Sequence, residues 1–197
     1  MALAEFPCPL AGNTTFYAFY IHHKIKLRND ILFHPKLQLN SFNIINSNGL
    51  QRITLPIKKI NSDKAIKCDE VLISYDTNWP KMLMRSLQSA YGKSPFFEFY
   101  EDDIQSVIDS QPKLLMEFNL KLHEFVVGEL QVKVNELHPP QNQKFENIHP
   151  NFNTQLKGLN YEQVFASKFG FLQPVSILDL LFNEGRASTI ILRKSSE

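Results

Sequence analysis

Cys8 is the residue whose chemistry points most directly to nucleophilic catalysis. It lies between Pro7 and Pro9, and Cys68 is the other cysteine of the chain. A catalytic thiol needs a lowered pKa and a neighbouring base, and His34 would supply the base if the first two strands pair. The alternative is that Cys8 is a small buried residue in a tight turn.

Trp79, the histidines and the glycines are the next candidates for ligand-binding or metal-binding residues. Trp79, the single tryptophan, could stack on a base or a sugar ring; the alternative is that it packs the start of a helix. The six histidines are not spaced with cysteine or with each other as in a zinc site. The seven glycines form neither a Walker nor a dinucleotide motif. We therefore predict no metal and no cofactor.

The charges are distributed unevenly along the chain. Residues 1–67 contain nine Lys/Arg and three Asp/Glu, whereas residues 68–150 contain seven and thirteen. A basic N-terminal part favours an anionic small molecule, such as a nucleotide-sugar, as ligand; the alternative is a solvated surface. The basic residues do not alternate with aromatic residues in a stripe, so we predict no nucleic-acid partner. The sequence does not specify an oligomeric state.

These residues must be positioned by a fold of the α/β class, with mixed α+β as the alternative. The chain is predicted to open as strand, helix, strand. The first strand ends near residues 3–5 and is followed by a turn at 6–9, a helix from Asn13 and a strand within 24–33. A hairpin follows, because Gly49 ends a four-residue turn between two apolar segments. We predict that these strands form one sheet, to which a further strand at 71–75 is a candidate addition.

The C-terminal half is predicted to be helical and to pack on that sheet. Apolar residues at helical spacing predict helices over residues 78–92, 95–108, 110–129 and 161–169, and a last helix that begins with a capping box at Ser176. Residues 138–160 are expected to form a long loop and residues 192–197 a frayed tail. No apolar run is long enough for a membrane span, no secretory signal is recognisable, and two cysteines suit a reducing compartment, so we predict a cytoplasmic protein.

Four segments resemble the WbqC-like family. They are residues 48–57, which contain Asn-Gly followed by Thr-Leu-Pro-Ile, residues 74–79 (Ser-Tyr-Asp-Thr-Asn-Trp), residues 89–100 (Ser-Ala-Tyr-Gly-Lys-Ser-Pro-Phe-Phe-Glu-Phe-Tyr) and residues 161–185. The resemblance covers residues 40–190 most clearly and implies a single WbqC-like domain over residues 1–197. Members of this family occur in gene clusters for surface polysaccharides, including O-antigen, and a glycine-transferase role has been suggested for them.

The resemblance implies a transferase that places an aminoacyl or acyl group on an amino sugar. We expect Lys36, Asn40 and Lys58 to hold an anionic group of the substrate, and His34 or Tyr17 to transfer a proton. The family's Arg-Asn-Arg element differs here, because Leu39 and Ser41 replace both arginines. That loss favours the alternative, a binding or accessory domain without catalysis.

Both hypotheses depend on one geometric condition. The opening turn, at residues 7–17, and the segment ahead of the hairpin, at residues 34–40, must meet around a shared hollow that has room for a ligand.

Overall fold

The computed structural model describes residues 4–22, 25–60, 65–132 and 155–195. Over these residues the fold is mixed, mostly helical, with little sheet. The largest fully buried side chains are aromatic and aliphatic, among them Tyr17, Tyr91 and Phe118. Burial of apolar area on this scale is the main driving force of folding, and rings contribute most of it per residue.

The chain opens with a strand, a helix and a second strand, as predicted. Strand β1 (Ala4–Phe6) pairs in parallel with β2 (Ile25–Leu27), and helix α1 (Thr14–His22) connects them. The amide of Phe16 donates to Oδ1 of Asn13 over 2.9 Å, so Asn13 caps the helix at the predicted position. A parallel pair needs such a crossover, because its strands run in the same direction.

The predicted hairpin is also present. Strands β3 (Ser41–Asn46) and β4 (Gly49–Thr54) are antiparallel, with Asn46 opposite Gly49. The amide of Asn48 donates to Oδ1 of Asn46 over 2.8 Å. Gly49 has φ of 101°, a conformation that favours glycine over any residue with a Cβ.

The prediction that all of these strands form one sheet is wrong. In the described residues the β1–β2 pair and the β3–β4 pair are separate two-stranded sheets. Residues 71–75 form isolated bridges rather than a strand, with Ile57 opposite Ile73 and Leu72 opposite Leu114. The amide of Ile73 donates to Lys113 and that of Ser74 to Pro56, so this segment divides its hydrogen bonds between two neighbours.

The remaining described elements are helical. They are α2 (Trp79–Tyr91), α3 (Phe97–Asp109), α4 (Leu115–Glu129), α5 (Ala166–Phe169), α6 (Ile177–Glu184) and α7 (Ser188–Lys194). The predicted apolar stripe of α4 is buried at Leu115, Phe118 and Leu122. No helix among the described residues combines the length and the apolar character that crossing a membrane requires.

The helix predicted over residues 161–169 is shorter, and the capping box at Ser176 is incomplete. The Ser176 hydroxyl accepts from the amide of Leu178, but the Asp179 carboxylate accepts from the Tyr161 hydroxyl over 2.5 Å and from Gln163 over 3.1 Å. The box is incomplete because the amide of Ser176 donates to the carbonyl of Asn43 over 2.9 Å rather than to Asp179. The hydrogen bonds of Tyr161 and Gln163 with Asp179 tie residues 161–163 to α6.

The predicted loop falls mainly outside the described residues, and the predicted tail falls partly outside them. Of the loop at 138–160 only residues 155–160 are described, and of the tail at 192–197 residues 196 and 197 are not. Helix α7 includes Leu192, which is fully buried, and ends at Lys194.

Candidate functional site

The opening turn and the segment ahead of the hairpin meet at helix α4. Nδ2 of Asn119 donates to the carbonyl oxygen of Cys8 and to that of Leu39, each over 2.9 Å. All three residues are buried, and Oδ1 of Asn119 has no hydrogen-bond partner among the described residues. The two segments therefore meet, but at this contact a buried amide bridge joins them and leaves no hollow with room for a ligand.

Tyr17 lies beside a histidine that the sequence did not single out. Its hydroxyl is 3.1 Å from Nδ1 of His123, and the two rings stack with centroids 5.6 Å apart. Tyr20 meets the same imidazole edge-on, with centroids 4.9 Å apart. Burial lowers the pKa of His123 to about 4 and raises that of Tyr17, so both side chains are neutral near pH 7.

Cys8 does not have the surroundings of a catalytic thiol. Its side chain is 0% exposed, and burial, with a smaller contribution from the negative charge of Glu124, raises the pKa of the thiol far above its ordinary value. A nucleophilic cysteine requires the opposite shift. His34, the predicted base, is exposed, and it lies seven residues after the end of β2. The imidazole in contact with Tyr17 is that of His123, which belongs to α4.

Asn40 and Trp79 hold local structure. Nδ2 of Asn40 donates to the carbonyl oxygen of Leu55 over 2.9 Å, and the amide of Leu55 donates back to the carbonyl of Asn40. Nε1 of Trp79 donates to the carbonyl oxygen of Ser74 over 2.9 Å. The Trp79 side chain is 6% exposed and its ring packs edge-on against Phe118, so it is not available for stacking on a ligand.

The hairpin carries an arginine that sequence reasoning missed. Arg52 lies opposite Asn43 on the paired strand, and its Nε and Nη2 donate to the hydroxyl oxygen of Ser41 over 3.1 and 2.7 Å. The hairpin register alone could have revealed this, because residues on facing strands that point to one side are neighbours. Arg52 is exposed and belongs to no ion pair among the described residues.

Lys58 lines a surface depression of about 320 Å³, which we call the lysine depression. Its walls are formed by Lys58, Lys59, Ile60, Ala65, Ile66, Glu70 and Leu72. The amide of Lys58 donates to the carbonyl of Leu72 over 2.8 Å and so holds the two sides together. Two ammonium groups beside an apolar surface suit an anionic ligand with a ring or a carbon chain. Lys36 lies in the 3₁₀ turn Pro35–Leu37.

No group of three or more His, Cys, Asp or Glu side chains in the described parts of the chain could hold a metal ion. Cys8 and Cys68 are both free and buried.

A comparison with protein-family models identifies the chain. The model of the WbqC-like protein family matches residues 20–139, which is more than half of the chain. The chain belongs to the WbqC-like protein family. Neither the curated proteins nor the solved structures contain a significant match to it.

The matched part of this WbqC-like protein contains the hairpin, helices α2 to α4 and the lysine depression. His123 and Asn119 are inside the match, whereas Cys8 and Tyr17 lie before it. The segment 161–185, which contributed to the resemblance, lies after it. The family assignment thus rests on the part that holds the anion-binding candidates rather than on the thiol.

Proposed function

We propose that this WbqC-like protein acts in the assembly of surface glycans, by transferring an aminoacyl or acyl group to the amine of an amino sugar. In this proposal the protein works in the cytoplasm without a cofactor and binds the anionic part of a nucleotide-sugar in the lysine depression. Two free cysteines suit the reducing conditions of that compartment.

The lysine depression is the observation that carries the proposal. Lys58, expected from the sequence to hold an anionic group, lines it together with Lys59. Its volume of about 320 Å³ is at the lower end of the range of ligand pockets, roughly 300–1,000 Å³, and suits a sugar phosphate. A nucleotide attached to that phosphate would extend over the neighbouring surface.

Arg52 supports the proposal from the hairpin. The family resemblance places an arginine where this chain has Ser41, and Arg52 brings its guanidinium to the Ser41 hydroxyl. A guanidinium group is therefore still present beside position 41, although it comes from Arg52 rather than from position 41 itself. Guanidinium groups bind phosphate and carboxylate through paired hydrogen bonds.

The transfer itself joins the amine nitrogen of the sugar to the carbonyl carbon of an activated acyl ester or thioester. The bond from that carbon to the leaving oxygen or sulfur breaks, and the proton lost by nitrogen goes to the leaving group. His34 remains the candidate for carrying this proton because it is exposed. Cys8 and Tyr17 have no part in the step, because a buried protonated thiol and a buried neutral phenol cannot reach a substrate.

Titration calorimetry with a nucleotide-diphosphate amino sugar tests the binding part of the proposal. We expect Lys58→Ala and Lys59→Ala each to weaken binding about tenfold, which corresponds to about 1.4 kcal/mol. Lys81→Ala, which removes an exposed lysine on α2 that does not line the depression, should bind like the wild type. Absence of binding at millimolar ligand, or unchanged binding by Lys58→Ala, would refute it.

A second function, binding without catalysis, is favoured by the burial of Cys8 and Tyr17. Incubation of the protein with an amino sugar substrate and an activated acyl donor separates the two functions. Mass spectrometry of the sugar shows an added acyl group if transfer occurs, and the rate should fall in Lys58→Ala. Binding without any acylated product would support the accessory role instead.

A further inference from the structure

The lysine depression is lined by an acidic as well as two basic side chains. We propose that it selects ligands that carry both a phosphate and a free amine, so that its substrate class is phosphorylated amino sugars with an unacylated nitrogen. The phosphate contacts Lys58 and Lys59, and the ammonium group contacts Glu70. This inference rests on the proposed function and specifies the substrate of the same site.

Glu70 is positioned for this contact by its own backbone. It ends the 3₁₀ turn Cys68–Glu70, and its Oε2 accepts from the amide of Lys67 over 2.8 Å. That bond uses one carboxylate oxygen and restrains the side chain. Among the residues that the structure describes, Oε1 has no hydrogen-bond or ion-pair partner. One carboxylate oxygen is thus available to a ligand.

The opposite charges that line the depression do not pair with each other. No ion pair joins Glu70 to Lys58 or Lys59 in the described parts of the chain, although all three side chains line one hollow. Charges of opposite sign that stay separate can bind the two ends of a zwitterionic ligand.

The apolar lining suits the body of a sugar. Ile60, Ile66 and Leu72 contribute aliphatic surface, and Leu72 is 40% exposed. The C–H face of a sugar ring can cover such surface while its charged substituents reach the polar side chains, which is the usual division of roles in ligand pockets.

An acyl group on the nitrogen would remove the positive charge that Glu70 recognises. The acylated product of the proposed transfer would therefore bind more weakly than the free amine, which favours its release. A charge-assisted hydrogen bond at an exposed site supports a preference of about five- to tenfold.

Calorimetry at near-neutral pH with three sugar phosphates tests the inference. The probes are glucosamine 1-phosphate, N-acetylglucosamine 1-phosphate and glucose 1-phosphate. We expect the free amine to bind about five- to tenfold more tightly than the other two. Glu70→Gln should abolish that preference and leave the binding of glucose 1-phosphate unchanged or tighter, because the glutamine side-chain oxygen can still accept from Lys67. Lys58→Ala should weaken all three probes, and Glu98→Gln, a control on the exposed face of α3, should change none.

The outcomes separate this inference from the proposed function. Equal affinity for the three probes, or a preference that persists in Glu70→Gln, overturns the selection of a free amine while the anion site stands. If neither the sugar phosphates nor the nucleotide-sugar bind, both proposals fail.

Discussion

At the scale of single residues, the two buried thiols differ from reactive cysteines in the environment that sets their pKa. Burial raises the pKa of Cys8 strongly and that of Cys68 to about 11, with a smaller contribution from the negative charge of Asp69. Attack on an electrophile requires the thiolate, which is scarce at neutral pH for both residues.

We therefore expect both thiols to react slowly with a thiol reagent such as Ellman's reagent in the native protein. In denaturant, where burial is lost, both should react at the rate of a free cysteine. The measurement is the number of thiols labelled over time with and without denaturant. Rapid labelling of Cys8 in the native state would contradict this expectation and would make Cys8 a candidate nucleophile again.

His123 makes the stability of the protein dependent on pH. An unfolded histidine titrates near 6.5, whereas burial lowers the pKa of folded His123 to about 4. Folding thus favours the neutral imidazole. The stabilising contribution is complete above about pH 6.5, is lost as the pH falls towards 4, and amounts to about 3 kcal/mol.

We expect His123→Gln to show a shallower loss of stability between these pH values than the wild type, because glutamine keeps hydrogen-bonding capacity near Tyr17 but does not titrate. Urea unfolding at a series of pH values measures the free energy of unfolding of each protein. The carboxyl groups titrate in the same way in both proteins, so their contribution largely cancels in the difference between the two. A parallel decline in both proteins would contradict the assignment of this pH dependence to His123.

At the scale of elements, the helices follow local pattern more closely than the strands do. Strands β1 and β2 are three residues each and gain their hydrogen bonds only through pairing, whereas an α-helix satisfies its backbone within itself. The hairpin was recognisable because its turn is local. Two glycines show that the effect of glycine on stability depends on the element in which it lies.

We expect Gly49→Ala to destabilise the protein and Gly128→Ala to stabilise it. Gly49 has φ of 101° at the hairpin turn, which costs an alanine about 1–2 kcal/mol. Gly128 lies in α4, where an added Cβ meets no atom of the described residues within 4 Å, and alanine there gains up to about 1 kcal/mol of helix propensity. Chemical denaturation of the pair measures both effects, and a change of the same sign in both variants would contradict the explanation.

At the scale of the whole molecule, contacts between distant segments support our proposal of a single domain over residues 1–197. The Ser176 hydroxyl donates to the carbonyl of Ala11 over 2.8 Å, and the amide of Ile177 donates to that of Gly12 over 2.9 Å. Asn119 joins the opening turn to the residues ahead of the hairpin in the same way.

We expect Asn119→Ala to lower the free energy of unfolding by about 2–4 kcal/mol, because two buried carbonyl groups lose their donor. Unfolding followed by Trp79 fluorescence and by far-ultraviolet circular dichroism should remain coincident, as for one cooperative unit. Glu117→Ala, exposed on the same helix, should change the free energy by less than about 0.5 kcal/mol. Separate transitions for the two probes in the wild type would contradict the single domain.

The sequence by itself determined the family, the amphipathic helices, the hairpin turn and the strand–helix–strand opening. Each of these depends on residues that are close in the chain: the apolar stripe of α4, the Asn48–Gly49 turn, the Asn13 cap. Lys58 stays a predicted anion-binding residue, and the structure places it in the lysine depression.

The tertiary structure alone decided which polar groups meet. Tyr17 contacts His123 rather than His34, Arg52 reaches Ser41, and Glu70 lies in one hollow with Lys58. The residues of the first pair are 106 positions apart. No local pattern encodes such a contact, because it depends on how the buried faces of separate elements pack against one another. The same packing placed Cys8 and Tyr17 in the interior and the lysine depression at the surface.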